Sequence, residues 1–266
     1  MSDFQKVSFD ISKLAPLFKE KGVDIDDPNL QAEVEAHRNS QHQGWVKEVN
    51  SREKDRYWRF SLFSGGHESL FSFPQWNPAL QPNEQQARHL GEQAWRLAKK
   101  MVDQPLNVAM FGNPGVGKTA LSLAIADYLE DHGQRAMFVS SSALTSLYDD
   151  RFENYQHQQK IFDTLNFMEK ADVLILDDFG TEGGQRDQFG KLKPIRRDFQ
   201  KDLLGVCNAR YDADNNQVLK STIVTTNNNI QDLNQLYMPK IISRLIPGIP
   251  EQQLMFTDMQ DVRMKG

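Results

Sequence analysis

The sequence predicts an α/β fold in which a parallel sheet is flanked by helices, and three observations predict it. The stretch GNPGVGKT at 112–119 matches a P-loop pattern. It stands between a short apolar run of strand type, NVAMF, and an Ala- and Leu-rich helical run from Ala120 to Leu129 that Gly133 stops. ADVLILDDFG at 171–180 is an apolar strand that ends in two carboxylates. From residue 107 onward strand-type and helix-type segments alternate, which argues for parallel strands covered on both faces.

Residues 1–70 are polar, with scattered aromatics that include Phe18, Trp45, Tyr57, Trp58 and Phe60. Segments 11–21 and 28–58 can form helices of imperfect periodicity, so a small helical N-terminal module is expected. The stretch SLFSGGHESLFSFPQWNPALQPN, 61–83, is rich in Gly, Pro, Ser and Asn. It places a linker at 71–84, ahead of a domain spanning 85–266. Asn83 followed by Gln86 is a capping-box pattern, and Ala87, Leu90, Ala94, Leu97 and Met101 then define one apolar helix face. Strands are expected at 107–111, 136–141, 173–177, 221–226 and 252–256. Helices are expected at 119–132, 143–152, 157–170, 198–211, 230–237 and 239–245, with a polar, basic stretch at 181–197.

Composition narrows the class. The chain has 266 residues, 39% hydrophobic and 25% charged, which suits a globular protein. It has no apolar run long enough for a transmembrane helix, and MSDFQKVSFDISK lacks the basic and apolar regions of a secretory signal, so a cytoplasmic location without membrane contact is expected. The single cysteine, Cys207, excludes an intrachain disulfide and a Cys-based zinc site, and reads as a small buried hydrophobe. A net charge of −5 confines any nucleic-acid contact to a local patch.

The motifs carry the chemistry. Glycines in the P-loop turn backbone N–H groups inward to cradle phosphate oxygens at a helix N-terminus. Lys118 would reach the β- and γ-phosphates, and the Thr119 hydroxyl would ligate Mg²⁺. Asp177 would hold the same ion, directly or through water, and Asp178 would orient or deprotonate the attacking water. Asp at that second position is one methylene shorter than the Glu of many P-loop ATPases, which predicts slow, switch-like hydrolysis. In STIVTTNNNI (221–230), Asn227 at the strand tip would contact the γ-phosphate or the water, whereas Asn229, three residues before Asp232, caps the next helix. Arg244, in KIISRLIPG, either solvates a surface or acts as an arginine finger in a neighbouring subunit, and Arg263 is a second candidate for phosphate contact.

GNPGVGKT, LILDDFG, TTN and the late SRL, in this order, resemble the AAA+ ATPases of the DnaC/DnaI type, loaders of bacterial and phage replicative helicases, over residues 70–266. The segment FSFPQWNPALQPN also resembles the lead-in to the P-loop in that family. The resemblance implies an AAA+ P-loop NTPase with a reduced C-terminal lid. It implies ATP and Mg²⁺ at Gly112, Asn113, Pro114, Gly115, Val116, Gly117, Lys118, Thr119 and Ala120, and a Walker B pair at Asp177 and Asp178. It further implies that Asn227 is sensor 1, that Arg244 is a trans-acting finger through which copies self-associate, and that Arg263 is the sensor 2 arginine. A single-stranded DNA site would lie in 143–170, with Tyr148, Arg151 and Phe152 as candidates. The basic residues Arg186, Lys191, Lys193, Arg196 and Arg197 offer a second DNA or helicase contact, or a solvated loop. The N-terminal module would grip a DnaB-type helicase. Relatives with a Cys-rich zinc module there differ from this chain, whose one cysteine lies elsewhere.

The leading expectation is therefore an ATP-dependent helicase loader. A sister reading is the helper ATPase of an IstB-type transposition system, which shares the core. A P-loop small-molecule kinase fits less well with the Asp177–Asp178 pair and Asn227, and a nucleotide-gated adaptor with negligible turnover remains open through Asp178.

Overall fold

The computed structural model describes residues 56–66, 68–149, 151–183, 192 and 195–262. These belong to one compact unit, Glu53–Gly266. The expected N-terminal module up to residue 55 lies outside the described residues, as do Arg186, Lys191, Lys193 and Arg263.

Five parallel strands form the sheet: β1 (Val108–Gly112), β2 (Ala136–Ser140), β3 (Val173–Asp177), β6 (Ser221–Thr226) and β7 (Gln253–Phe256). Their spatial order is β2-β3-β6-β1-β7, all neighbours in parallel register, with Leu176 opposite Val224 and Met110 opposite Thr225. A strand's side chains alternate between faces, so each strand feeds two cores. Ala109, Met137, Leu174 and Val224 join one hydrophobic cluster, and Val108, Phe138, Ile175 and Ile223 join the other. Burial on both faces is why these strands read as unbroken apolar runs.

Helices α1 (Glu84–Asp103) and α2 (Lys118–Asp131) contribute to the second cluster. Helices α3 (Ser141–Asp149), α4 (Tyr155–Lys170), α5 (Arg197–Ala209), α6 (Ile230–Leu236) and α7 (Pro239–Leu245) contribute to the first. The apolar face of α1 is the expected one, extended by Ala98. Half of its capping box forms: Asn83 Oδ1 accepts from the Gln86 N–H at 3.1 Å, while the Gln86 side chain turns away to the Met255 carbonyl of β7. Two elements were not expected, the short strands β4 (Tyr211–Asp212) and β5 (Gln217–Val218), which pair as a hairpin after α5.

One edge of the sheet, at β2, is covered by residues whose composition reads as linker or module, and the other, at β7, by α1. Leu62 makes a parallel bridge to Val139: its N–H donates to the Phe138 carbonyl at 2.8 Å, and its carbonyl accepts from the Ser140 N–H at 2.7 Å. Gln93 of α1 donates to the Gln253 carbonyl at the β7 edge. Backbone groups that would otherwise template another strand are thereby satisfied. Tyr57 and Leu62 are buried in the core, and 3₁₀ turns at Phe73–Gln75 and Pro78–Leu80 lead into α1. Cys207 is buried, as its neighbours in sequence suggest, and burial pushes its thiol up to about 12.

Candidate nucleotide site

The site sits where β1, β3 and β6 end, the position at which ligands bind in open parallel sheets. β1 runs into the P-loop, and Gly117 in left-handed conformation (φ 102) precedes α2, whose first residue is Lys118. Gly115 is also left-handed (φ 76), a conformation that costs glycine little. These turns leave the first N–H groups of α2 without helical partners, available to an anion.

Lys118 is 4% exposed, and its ammonium donates to the Gly112 and Asn113 carbonyls, both at 2.8 Å, and to Asn227 Oδ1 at 2.7 Å. The P-loop and the strand-end asparagine, which the sequence proposed separately, are thus in direct contact. Thr119 Oγ1 donates to Asp177 Oδ1 at 2.8 Å, and Thr225 Oγ1 donates to the same oxygen at 2.7 Å. Burial pushes the Asp177 carboxyl above its usual range, against the hydroxyl bonds from Thr225 and Thr119 that hold it down. A hydroxyl and a carboxylate at the end of a phosphate loop form a hard oxygen donor set, and Thr119 and Asp177 fit Mg²⁺ by that chemistry.

Asp178 takes a left-handed backbone conformation, φ 52, which is uncommon for a side-chain-bearing residue. Three bonds hold it there. Its N–H donates to Thr225 Oγ1 at 2.9 Å, and its carbonyl accepts from the Thr181 N–H at 3.1 Å and hydroxyl at 2.7 Å. Thr225 therefore organises both aspartates. Sequence reasoning passed over it; the available signal was a Thr one residue before the strand end, in register with P-loop-facing β1. Behind the pair, the Phe179 ring stacks on Tyr237 at 4.1 Å, and Tyr237 donates to Glu182 Oε1. Burial pushes Glu182 up to about 7, opposed by that hydrogen bond.

Asn229 caps α6 through the Asp232 N–H at 2.9 Å, as its spacing suggests. Arg244 lies elsewhere. Its carbonyl accepts from Asn107 Nδ2, just before β1, and its guanidinium donates to Asn208 at the end of α5. Asn107 marks the N-terminal end of β1, opposite the P-loop end. Arg244 is therefore not part of its own chain's phosphate site.

The α3–α4 candidates divide. Tyr148 is 1% exposed; its hydroxyl donates to Asp202 at 2.9 Å and its ring packs edge-on against Phe199, leaving no face for a base. Arg151 is paired with Asp198 at 3.0 Å and its guanidinium lies over the Tyr148 and Phe152 rings. Arg196 is likewise held by Asp198 and Asp149. Phe152 is 81% exposed, and Tyr155 and Phe162 further along the chain are also exposed aromatics, which the sequence reading did not single out. No helix among the described residues is long and apolar enough to cross a membrane.

Comparison with known proteins fits this geometry. The chain is 27% identical over 146 residues to an insertion sequence IS21 putative ATP-binding protein from Pseudomonas aeruginosa; the match covers 54% of this chain and 47% of that protein, so the chain spans about half the length of this relative. Among solved structures, a DNA replication initiation factor superposes with a TM-score of 0.49 at 18% identity, covering 71% of this chain and 50% of that one. The DnaC helicase loader does so with a TM-score of 0.45 at 19% identity, covering 75% and 98%. The profile of the IstB-like ATP binding proteins matches residues 80–246, well over half of the chain and every site residue from Gly112 to Arg244. With its five-stranded parallel sheet and P-loop, the chain is an AAA+ P-loop NTPase domain and belongs to the family of IstB-like ATP binding proteins.

Proposed function

We propose that this protein is an ATP-hydrolysing switch that acts on a nucleoprotein assembly, loading a DnaB-type replicative helicase onto single-stranded DNA. The observation that carries the hydrolytic part is the joint closure of Lys118 on Asn227 and of Thr119 on Asp177, which brings all four motif groups to one strand-end cluster. On ATP binding, the Lys118 ammonium exchanges its carbonyl partners for phosphate oxygens, while the N–H groups at the start of α2 hold the phosphate chain. Bound Mg²⁺, held by Thr119 and Asp177, supplies neutralisation of the phosphate charge. Asn227 orients the attacking water, and Asp178 accepts its proton from a backbone position that Thr225 fixes. Arg244, directed away from its own phosphate loop, serves the site of a neighbouring copy.

The family match and the IS21 relative favour a second reading, a helper ATPase that acts with a transposase on duplex DNA. Turnover of the full chain separates the two. The loader reading expects ATP hydrolysis stimulated by single-stranded DNA together with a purified DnaB-type helicase. Stimulation by duplex DNA and a transposase alone would overturn it in favour of the second. No hydrolysis under any of these conditions would leave a nucleotide-gated adaptor.

A further inference from the structure

The phosphate loop is braced by a residue far outside its motif. Trp76 follows the 3₁₀ turn Phe73–Gln75 and precedes a second turn, Pro78–Leu80, in which the Asn77 side chain accepts from the Ala79 N–H. Each turn has a proline in its first positions, which fixes the backbone on both sides of the tryptophan. The indole N–H donates to the Ala87 carbonyl of α1 at 3.0 Å. From that anchor the ring reaches two glycines. A Cβ on Gly91 would lie 2.8 Å from both Cδ1 and Nε1 of the ring, and a Cβ on Gly117 would lie 2.7 Å from Cζ3 and 2.9 Å from Cη2. All four distances are shorter than real Cβ contacts allow, so the indole occupies the space that the absence of two side chains leaves. It is a wedge between α1 and the residue at which the phosphate loop becomes α2.

Gly117 is the residue whose left-handed conformation turns the chain into α2 and sets the direction of Lys118. Other nearby hydrogen bonds act further along. The Gln81 side chain exchanges two bonds with the Gln260 backbone, both 2.9 Å, and the Val262 N–H donates to the Gly115 carbonyl at 3.1 Å. These tie the segment 260–262 to the lead-in and to the middle of the loop, whereas at Gly117 the carbonyl accepts from the Leu121 N–H at 3.0 Å and the side that lacks a Cβ faces Trp76. Trp76 and Gly91 also line an open groove of about 790 Å³, together with Phe73, Trp95, Tyr128 and Glu92.

We propose that Trp76 is a positioning residue for nucleotide binding: its indole holds Gly117, and with it the first amides of α2 and the Lys118 ammonium, in the arrangement that receives the triphosphate. The inference rests on the reading of this site as an ATP site. Removing the wedge gives a flexible glycine two backbone dihedrals of freedom at the point where phosphate oxygens must be met, and small misplacements of binding groups are costly.

The test compares four full-length proteins: wild type, Trp76→Ala, Trp76→Phe and Trp95→Ala. Trp95 lines the same groove as Trp76, its ring against Phe73 at 5.0 Å and Tyr128 at 4.7 Å, and controls for loss of packing. Expected for Trp76→Ala is ATP affinity weaker by about tenfold, with KM raised and kcat within about twofold. Trp76→Phe, which retains a flat ring, regains most of the affinity, and Trp95→Ala lowers thermal stability without changing affinity. ATP also changes tryptophan emission in wild type and Trp95→Ala but not in Trp76→Phe. If Trp76→Ala binds ATP as wild type does, or Trp95→Ala weakens it equally, the positioning role is overturned while the ATP site stands. If wild type binds no ATP, the site reading falls and takes this inference with it.

Discussion

The two ends of the sheet each bury a cation, and the two are held in different ways. Lys118, at the C-terminal ends of the strands, and Arg210, at the N-terminal end of β6, are 4% and 3% exposed. Lys118 contacts two loop carbonyls and the amide oxygen of Asn227, groups on a glycine-rich turn and a strand tip. Arg210 spans the Met168 and Ala171 carbonyls at the end of α4, both at 2.7 Å, the Ser221 carbonyl and Thr222 Oγ1 at 3.0 Å. Its partners belong to a helix end and a central strand and cannot move without breaking the fold. Burial pushes the guanidinium down to about 9, which still leaves it charged at neutral pH. A buried cation serves a ligand when its partners can be exchanged, and serves stability when they cannot.

The largest effect expected from this difference is on folding. Arg210→Met leaves three buried carbonyls without their donor and should cost about 3–5 kcal/mol. That corresponds to a midpoint lower by about 10 °C in thermal unfolding for a unit of this size. Arg210→Lys should recover only part, because an ammonium lacks the planar fork that spans four acceptors. A shift of a degree or two for Arg210→Met would show that water takes over its partners and would erase the contrast. At the other end, Lys118→Ala should leave the midpoint nearly unchanged and lower ATP turnover by about 10³-fold, a loss of transition-state charge stabilisation. Comparable loss of stability at both positions would mean that the phosphate end is as rigid as the other.

What the sequence made legible follows the same division. The P-loop, the Asp177–Asp178 strand end, Asn227 and the Asn229 cap depend on local patterns of residues a few positions apart, and each stands where its pattern placed it. The roles of Arg210, Thr225 and Trp76 depend on partners far away in the chain: Met168, Asp177 and Gly117. No window of neighbouring residues carries that information. Tyr148 shows the converse. Beside Arg151 and Phe152 it looked like a stacking platform, but its helix turns it inward to Asp202. The stretch 61–83 had the composition of a linker because turns and proline-fixed segments share that composition whether or not they pack.

Asp178 sharpens the comparison within the phosphate end. Asp178→Asn keeps the backbone bonds to Thr225 and Thr181 and removes the carboxylate, so ATP binding should persist while turnover falls by about 10²-fold. Asp178→Glu extends the carboxylate by one methylene and should raise turnover above wild type. If it leaves turnover unchanged, the short side chain is not what slows the reaction.

The smallest effect belongs to the Arg135–Asp172 pair at the N-terminal end. Arg135 Nε donates to Asp172 Oδ2 at 2.8 Å and its NH2 group donates to Oδ1 at 2.9 Å, a two-point pair, with side chains 37% and 34% exposed. Burial by itself would raise the Asp172 pKa; the hydrogen bonds and charge of Arg135 outweigh it and hold the carboxyl below 3.8. With a folded-state pKa below the unfolded one, the contribution is fully present above 3.8 and is lost as pH falls through the folded value. Solvent reaches both partners, so the pair should be worth about 1 kcal/mol or less. Asp172→Asn should cost that much at neutral pH, and the difference from wild type should shrink as pH falls below about 4. A cost near that of Arg210→Met would show that what distinguishes the N-terminal end is its charge as a whole, rather than the burial of one guanidinium among acceptors that cannot move.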